Sequence, residues 1–379
     1  MSTNKLAMAV KATTAAIAFG VATQASAISF EAGDAKVDIY GYARLNAVYD
    51  IDEQISIGSG TQSGDFSKIN TGADEDNEAT GYFDADAVQS RIGVRTTLPT
   101  GVMVNVEGDF RGGATGGVLR LRHAYGQYEN WLLGQTWSHY NSFVGGTSVL
   151  EFDGVAGDPG LRSRKAQVRY TSGPLSVSVE DSATRIEGAT PKNGLPAFTA
   201  RLESKSGMLA YSTAAVVQQV GYDDGTEDDS AFGYAVFGSA KLALTDTFSI
   251  QGSVNYSDGA NGYLWRSGSN YYGEDAYVVN GNVETITGMS GNIGASLKAA
   301  GGTFNLVAGM TEMDWDDAEA DGLDVADKHE RNTNAFVNYQ WSPVKSVNLG
   351  VQYGYFKVKE VSGDDGDASR LMFAAQYNF

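Results

Sequence analysis

From residue 36 to Phe379 the chain alternates apolar and polar side chains with a period of two, in segments of roughly ten residues separated by turns. Successive side chains of an extended strand face opposite sides, so each segment has one apolar and one polar face. Residues 248–256 set Phe248, Ile250, Val254 and Tyr256 against Ser249, Gln251, Ser253 and Asn255. A sheet that is oily on one face and wet on the other suits a closed barrel with lipid outside and water inside.

Residues 1–27 carry Lys5 and Lys11, an apolar stretch from Ala12 to Ala22, and an Ala25-Ser26-Ala27 ending. This pattern predicts a secretory signal peptide cleaved before Ile28. A membrane-spanning helix needs about 18 consecutive apolar residues, and no later segment has them. Glycine (47), tyrosine (20) and phenylalanine (16) are abundant while proline (6) is scarce, as many strands joined by turns require. With no cysteine, neither a disulfide framework nor a thiolate metal site is available. The formal charge of −19 disfavours nucleic acid as a partner.

Alternation and turn signals together predict about sixteen strands, beginning near residues 37, 81, 102, 117, 131, 165, 174, 196, 207, 230, 247, 284, 302, 331, 346 and 368. The connections alternate in length. Short turns fall at 98–101, 127–130, 172–174, 203–207, 244–247, 299–302 and 342–346. Long connections fall at 50–80, 112–116, 138–164, 185–195, 220–229, 257–283, 314–330 and 359–367. The expected fold is all-β: a transmembrane antiparallel β-barrel forming one domain over 28–379, with short periplasmic turns and long extracellular loops. A soluble sandwich or propeller has no reason to sort its loops this way. Trp341, Tyr377 and Phe379 lie near strand ends, where interfacial aromatic girdles are expected.

Acidic residues concentrate in the long connections, Asp50, Asp52, Glu53, Asp65, Asp74, Glu75, Asp76 and Glu78 in the first of them, where they are expected to remain hydrated. Arginines gather instead in the first half of the chain, on the face opposite the apolar one. Strand parity turns Arg44, Arg91, Arg95, Arg120, Arg122 and Arg169 towards the interior and His123 outwards. Cations on a confined aqueous wall concentrate anions, and a guanidinium holds a carboxylate with two hydrogen bonds. The competing reading pairs these arginines with Glu107, Asp109, Glu151, Asp153 and Asp158 purely to satisfy the interior. The long but weakly acidic connection 138–164 has Phe143, Val144, Val149, Leu150 and Phe152 to bury. It is expected to fold inwards as a constriction loop, presenting Glu151, Asp153 and Asp158 to the arginine wall.

The run Leu119-Arg120-Leu121-Arg122-His123-Ala124-Tyr125-Gly126, followed by Gly134-Gln135-Thr136-Trp137-Ser138, resembles the paired signature of DcaP-like outer-membrane porins. Gly41-Tyr42, Gln89-Ser90-Arg91 and Glu107-Gly108-Asp109-Phe110 fit the same pattern. The resemblance implies a trimeric channel in the outer membrane, among its lipid and lipopolysaccharide, passing small anions such as dicarboxylates down their gradient. Members of that family can carry a helical extension before the barrel, for which about ten residues after the cleavage site leave little room. An enzymatic role is not expected. His123, His139 and His329 have no evident catalytic partners, no G-x-S-x-G elbow is present, and the 112–117 glycine cluster lacks the ending of a phosphate loop. No cofactor or metal is called for. The remaining alternative is a structural or adhesin barrel with a blocked lumen.

Overall fold

The computed structural model describes residues 27–75, 79–182 and 184–379. The expected signal peptide lies outside them apart from Ala27, as do Asp76 and Glu78 of the first long connection. Sixteen antiparallel strands close a barrel. Strand 1 is Ala35–Asp50, and strand 2 runs in two pieces, Tyr82–Asp86 and Arg91–Thr97. Strands 3 to 9 are Met103–Gly112, Val118–Tyr128, Trp131–Trp137, Arg164–Ser172, Leu175–Glu180, Ala197–Ser206 and Leu209–Asp223. Strands 10 to 16 are Asp228–Ala243, Phe248–Asp258, Thr287–Ala299, Gly302–Met313, His329–Val344, Val347–Glu360 and Asp365–Asn378. Each begins within three residues of its expected position.

Closure comes from strand 16 pairing with strand 1, Asn378 opposite Tyr42 and Arg370 opposite Asp50. Gly41 and Phe379 exchange both backbone hydrogen bonds at 3.1 Å. Below them a short strand, Ile28–Ala32, pairs with the lower end of strand 1, Ile28 opposite Ile39, and prolongs the line of strand 16. Residues 28–32, expected as a spacer before the barrel, are therefore part of the sheet.

The alternation maps onto the wall as the period of two requires. Ile250, Val254 and Tyr256 are exposed on the outside of strand 11, while Ser249, Gln251, Ser253 and Asn255 are buried inside. Aromatic residues ring the lower, short-turn end: Trp131 lies 4.9 Å from Tyr170, Phe304 lies 4.5 Å from Tyr339, and Tyr339 stacks on Trp341. Two long connections are shorter than expected because their strands continue further; Asp223 pairs with Asp228 and Lys359 with Asp365.

Three other connections fold into the upper barrel. The first, after strand 1, forms a hairpin of Ser56–Ile57 and Gly60–Gly64 inside the wall. Segment 138–163 crosses to the far wall, and 259–286 turns in behind it. Inward apolar side chains receive them: Phe336, Phe356, Val358 and Val307 pack on Ile55, Phe66 and Val155, while Val48 and Met372 pack on Leu150. Phe237 and Val216 meet Tyr140, Leu161, Tyr263 and Trp265. The expectation of a uniformly hydrated first loop is corrected here. Asp50 and Glu53 are buried, Asp50 against Arg370 and Glu53 against the backbone N–H of Asn70.

Gly157 and Gly309 make the closest seats of the crossing segment. A Cβ on Gly157, whose φ is +74°, would lie 2.5 Å from the backbone N and O of Gly291, and one on Gly309 would lie 2.0 Å from the Ala156 oxygen. Gly157→Val should thus push the segment off the strand-12 backbone and weaken seating by about 1–3 kcal/mol. The expected readout is a larger and noisier single-channel conductance from normally folded barrels; an unchanged conductance would contradict this account of how the segment is held.

Candidate functional site

Arg44, Arg91, Arg95, Arg120, Arg122 and Arg169 all point into the barrel, and their partners sort them into three kinds. Arg120 holds Asp109 through two hydrogen bonds, Nε to Oδ1 at 3.0 Å and Nη2 to Oδ2 at 2.8 Å. Arg122, almost fully buried, donates to Glu107 at 2.8 Å and to Asp109 at 3.2 Å. Removing one partner from such a buried group typically costs about 3–5 kcal/mol, because the other charge is left uncompensated.

Arg44 and Arg169 are held by neutral acceptors. Arg44 donates to Asn46, Gln376 and Gln62, and Arg169 to the side-chain oxygen of Gln167 and the carbonyl of Trp137. Arg91 and Arg95 have neither a side-chain hydrogen bond nor an ion pair among the described residues. Their buried Nε atoms are unpartnered, and their guanidiniums rest over the rings of Tyr42 and Tyr40 at 5.2 and 5.4 Å.

His123 also faces inwards, contrary to the parity expectation. A β-bulge makes both Arg122 and His123 oppose Glu107, since the register steps from Glu107↔His123 to Gly108↔Leu121. The extra residue reverses the alternation for the rest of strand 4. His123 Nδ1 lies 3.0 Å from Thr136 Oγ1 and its ring packs edge-on to Trp137.

Opposite this wall, the crossing segment is tied down through its backbone. The carbonyl of Gly157 accepts hydrogen bonds from Ser253, Asn255 and Asn292, while the N–H groups of Ala156 and Leu150 donate to Asn334 and Gln352. Its three acids are met by arginines that the sequence reading did not single out. Asp158 faces Arg162 at 3.3 Å, Asp153 faces Arg266 at 3.9 Å and accepts from Tyr271, and Glu151 lies 4.0 Å from Arg370. Glu151 also accepts the N–H of Gly64, so three connections distant in sequence meet around it.

Arg266 sits wholly buried among Phe66, Tyr271 and Phe356, and Arg111 lies 3.7 Å over Phe152. A lone arginine in a loop, or one at a strand end, carries no local sign of such a partner. Between wall and segment remains a cleft of about 170 Å³, bordered by Arg44, Arg91 and Arg122 on one side and by Glu151, Asp153 and Asp158 on the other.

A closed sixteen-stranded antiparallel barrel with an apolar exterior, a polar interior and a segment folded through its lumen defines a channel of the outer-membrane porin class. Residues 15–379 match the DcaP outer membrane protein family, and the chain belongs to that family. It is similar to the crystal structure of the outer membrane channel DcaP of Acinetobacter baumannii, with 26% identity, a TM-score of 0.78, and coverage of 92% of this chain and 99% of that one. An anion-selective porin from Comamonas acidovorans (12% identity, TM-score 0.58, 91% and 100% covered) shares the fold. So does OmpT of Vibrio cholerae (11%, 0.56, 93% and 100%). A comparison with curated protein sequences finds no match. The protein is thus an outer-membrane channel, in a family and fold of channels rather than enzymes.

Burial raises the Glu151 carboxyl to about 7, with Asp153 adding to the shift while Arg266, Arg370 and the Gly64 N–H oppose it. Because the seated segment raises this acid above its ordinary 4.5, seating favours the protonated form. That contribution is complete at acidic pH and is lost as pH rises through about 7. Channel noise should therefore increase between about pH 5.5 and about pH 8 in the native protein. Glu151→Gln should stay quiet throughout, and equal pH dependence in both would refute the assignment.

Proposed function

We propose that this channel passes small hydrophilic anions, dicarboxylates included, by passive diffusion. The reading includes export through the leader at residues 1–27 and assembly as a homotrimer among outer-membrane lipid and lipopolysaccharide. The observation that carries the anion preference is the sorting of the arginines. Arg120 and Arg122 are paired with Glu107 and Asp109, whereas Arg91 and Arg95 rest over tyrosine rings with no carboxylate at ion-pair distance among the described residues, Glu107 reaching Arg91 only through space. Uncompensated positive charge beside a narrow aqueous path raises the local anion concentration and lowers that of cations. Segment 138–164 narrows the path and limits size, with Glu151, Asp153 and Asp158 turned towards Arg370, Arg266 and Arg162 rather than towards the arginine wall.

A second reading, a structural barrel with a blocked lumen, draws on the three connections that fill the upper interior. Reversal potentials across a potassium chloride gradient decide between them. The expected result is an ohmic channel preferring chloride, and Arg91→Ala with Arg95→Ala should reduce the chloride-to-potassium permeability ratio by roughly tenfold, the equivalent of one modest charge interaction. Cation preference unaffected by those changes would confine the arginines to a structural role. Folded, inserted protein with no conductance would favour the blocked barrel, and the mass of the detergent-extracted channel tests the trimer.

A further inference from the structure

Below the crossing segment, towards the short turns, two guanidiniums converge on the segment's first residues. Arg169 of strand 6 donates to the carbonyl of Trp137 at 3.0 Å, and Arg201 of strand 8 donates to the carbonyl of Asn141. They stand within electrostatic reach of each other, two like charges on one wall. Neither has a carboxylate at ion-pair distance among the described residues, and the buried Nε of Arg201 has no partner at all.

The neighbouring acids are engaged elsewhere. Glu180 accepts from the Ser138 hydroxyl at 2.7 Å and the His139 N–H at 2.9 Å, and Glu203, though within electrostatic reach of Arg201, accepts from the Ser142 hydroxyl at 2.7 Å. His139, between the two arginines, spends both ring nitrogens on Ser176 and Thr199. Burial drives its pKa down to about 2, so it adds no third charge.

We propose that Arg169 and Arg201 form a second anion station on the periplasmic side of the crossing segment, taking one small oxyanion, a carboxylate or a phosphate, between their two planar forks. Both retain N–H groups beyond those given to backbone carbonyls, and charge-assisted bonds to an oxyanion are the strongest that a guanidinium makes. An anion leaving the cleft beside Arg91 meets this station next, so occupancy there limits flow. The station rests on the anion-channel reading but adds a claim that reading does not require: binding that saturates, at a place distinct from the cleft.

The test is block of single-channel chloride current by inorganic phosphate, added to one side at a time, with the reversal potential recorded on the same channels. Native channels should be blocked with a half-saturating concentration, and more strongly from one side. Arg169→Gln with Arg201→Gln keeps amide donors for the Trp137 and Asn141 carbonyls but removes both charges. It should raise the half-blocking phosphate concentration by about tenfold and lower the unitary chloride conductance, while Arg91 and Arg95 keep the channel chloride-preferring. If the double variant folds poorly, Arg201→Gln alone should give part of the shift. Phosphate block equal in native and variant channels, or absent from anion-preferring native channels, overturns the station while leaving the channel reading intact; a cation-preferring native channel removes both.

Discussion

Lipid supplies no hydrogen bonds, so every backbone N–H and C=O of the spanning strands must pair with a neighbouring strand, and the sheet has to close. The pairing of Asp365–Asn378 with Ala35–Asp50 meets that demand. Closure has a second consequence: apolar residues of the connections find burial only in the barrel interior. Any connection that enters must find partners for its own backbone on inward side chains. The far wall is built for this. Asn255, Asn292, Asn334 and Gln352, all inward on strands 11 to 15, bond the backbone of residues 150–160.

The wall is consequently divided by chemistry. Strands 11 to 15 face inwards with amides and hydroxyls that receive the crossing segment, whereas strands 1, 2, 4, 6 and 8 turn arginines inwards. This division places the segment off-centre, with its acids near Arg162, Arg266 and Arg370 rather than in contact with Arg44 or Arg91. Arg91 is therefore left bordering the cleft with no carboxylate at ion-pair distance among the described residues. Had the loop acids closed on Arg91, the lumen would have lost its excess charge as well as its space.

The strands and their faces were legible because a period of two has only two phases, and lipid outside fixes which is which. Residues 248–256 could be assigned outward and inward from letters alone. Strand 4 could not, because a single extra residue at Arg122 reverses the phase and turns His123 inwards, and a bulge leaves no mark in composition. The partners of the loop acids were equally hidden: Glu151 and Arg370, or Asp153 and Arg266, lie far apart in sequence, and only the folded loops bring them together. One signal was present and unused. Strands 14 and 15 are locally apolar on both faces, with Phe336 beside Val337 and Phe356 beside Tyr355. A residue facing a water-filled lumen has no reason to be phenylalanine, so such positions mark where a connection will be seated.

The two sets of buried arginines also differ in how they are held, and this separates rigid from movable parts. Arg122 is gripped by two carboxylates at 2.8 and 3.2 Å within adjacent wall strands, so moving it would break close charge-assisted bonds and the ladder together. Arg266 instead rests 4.6 Å over Phe66 and donates to the carbonyl of Gly64, with Asp153 only at 3.9 Å. Its contacts join the connections to one another, and cation–π attraction of this kind is worth about 0.5–2 kcal/mol. Together with two hydrogen bonds to Gly64 and those that the Arg266 carbonyl accepts from Thr311 and Asn332, these contacts all lie outside the strand ladder. The wall thus carries its charge on side chains gripped by carboxylates of the ladder itself, whereas the inserted connections are held by contacts that the ladder does not depend on.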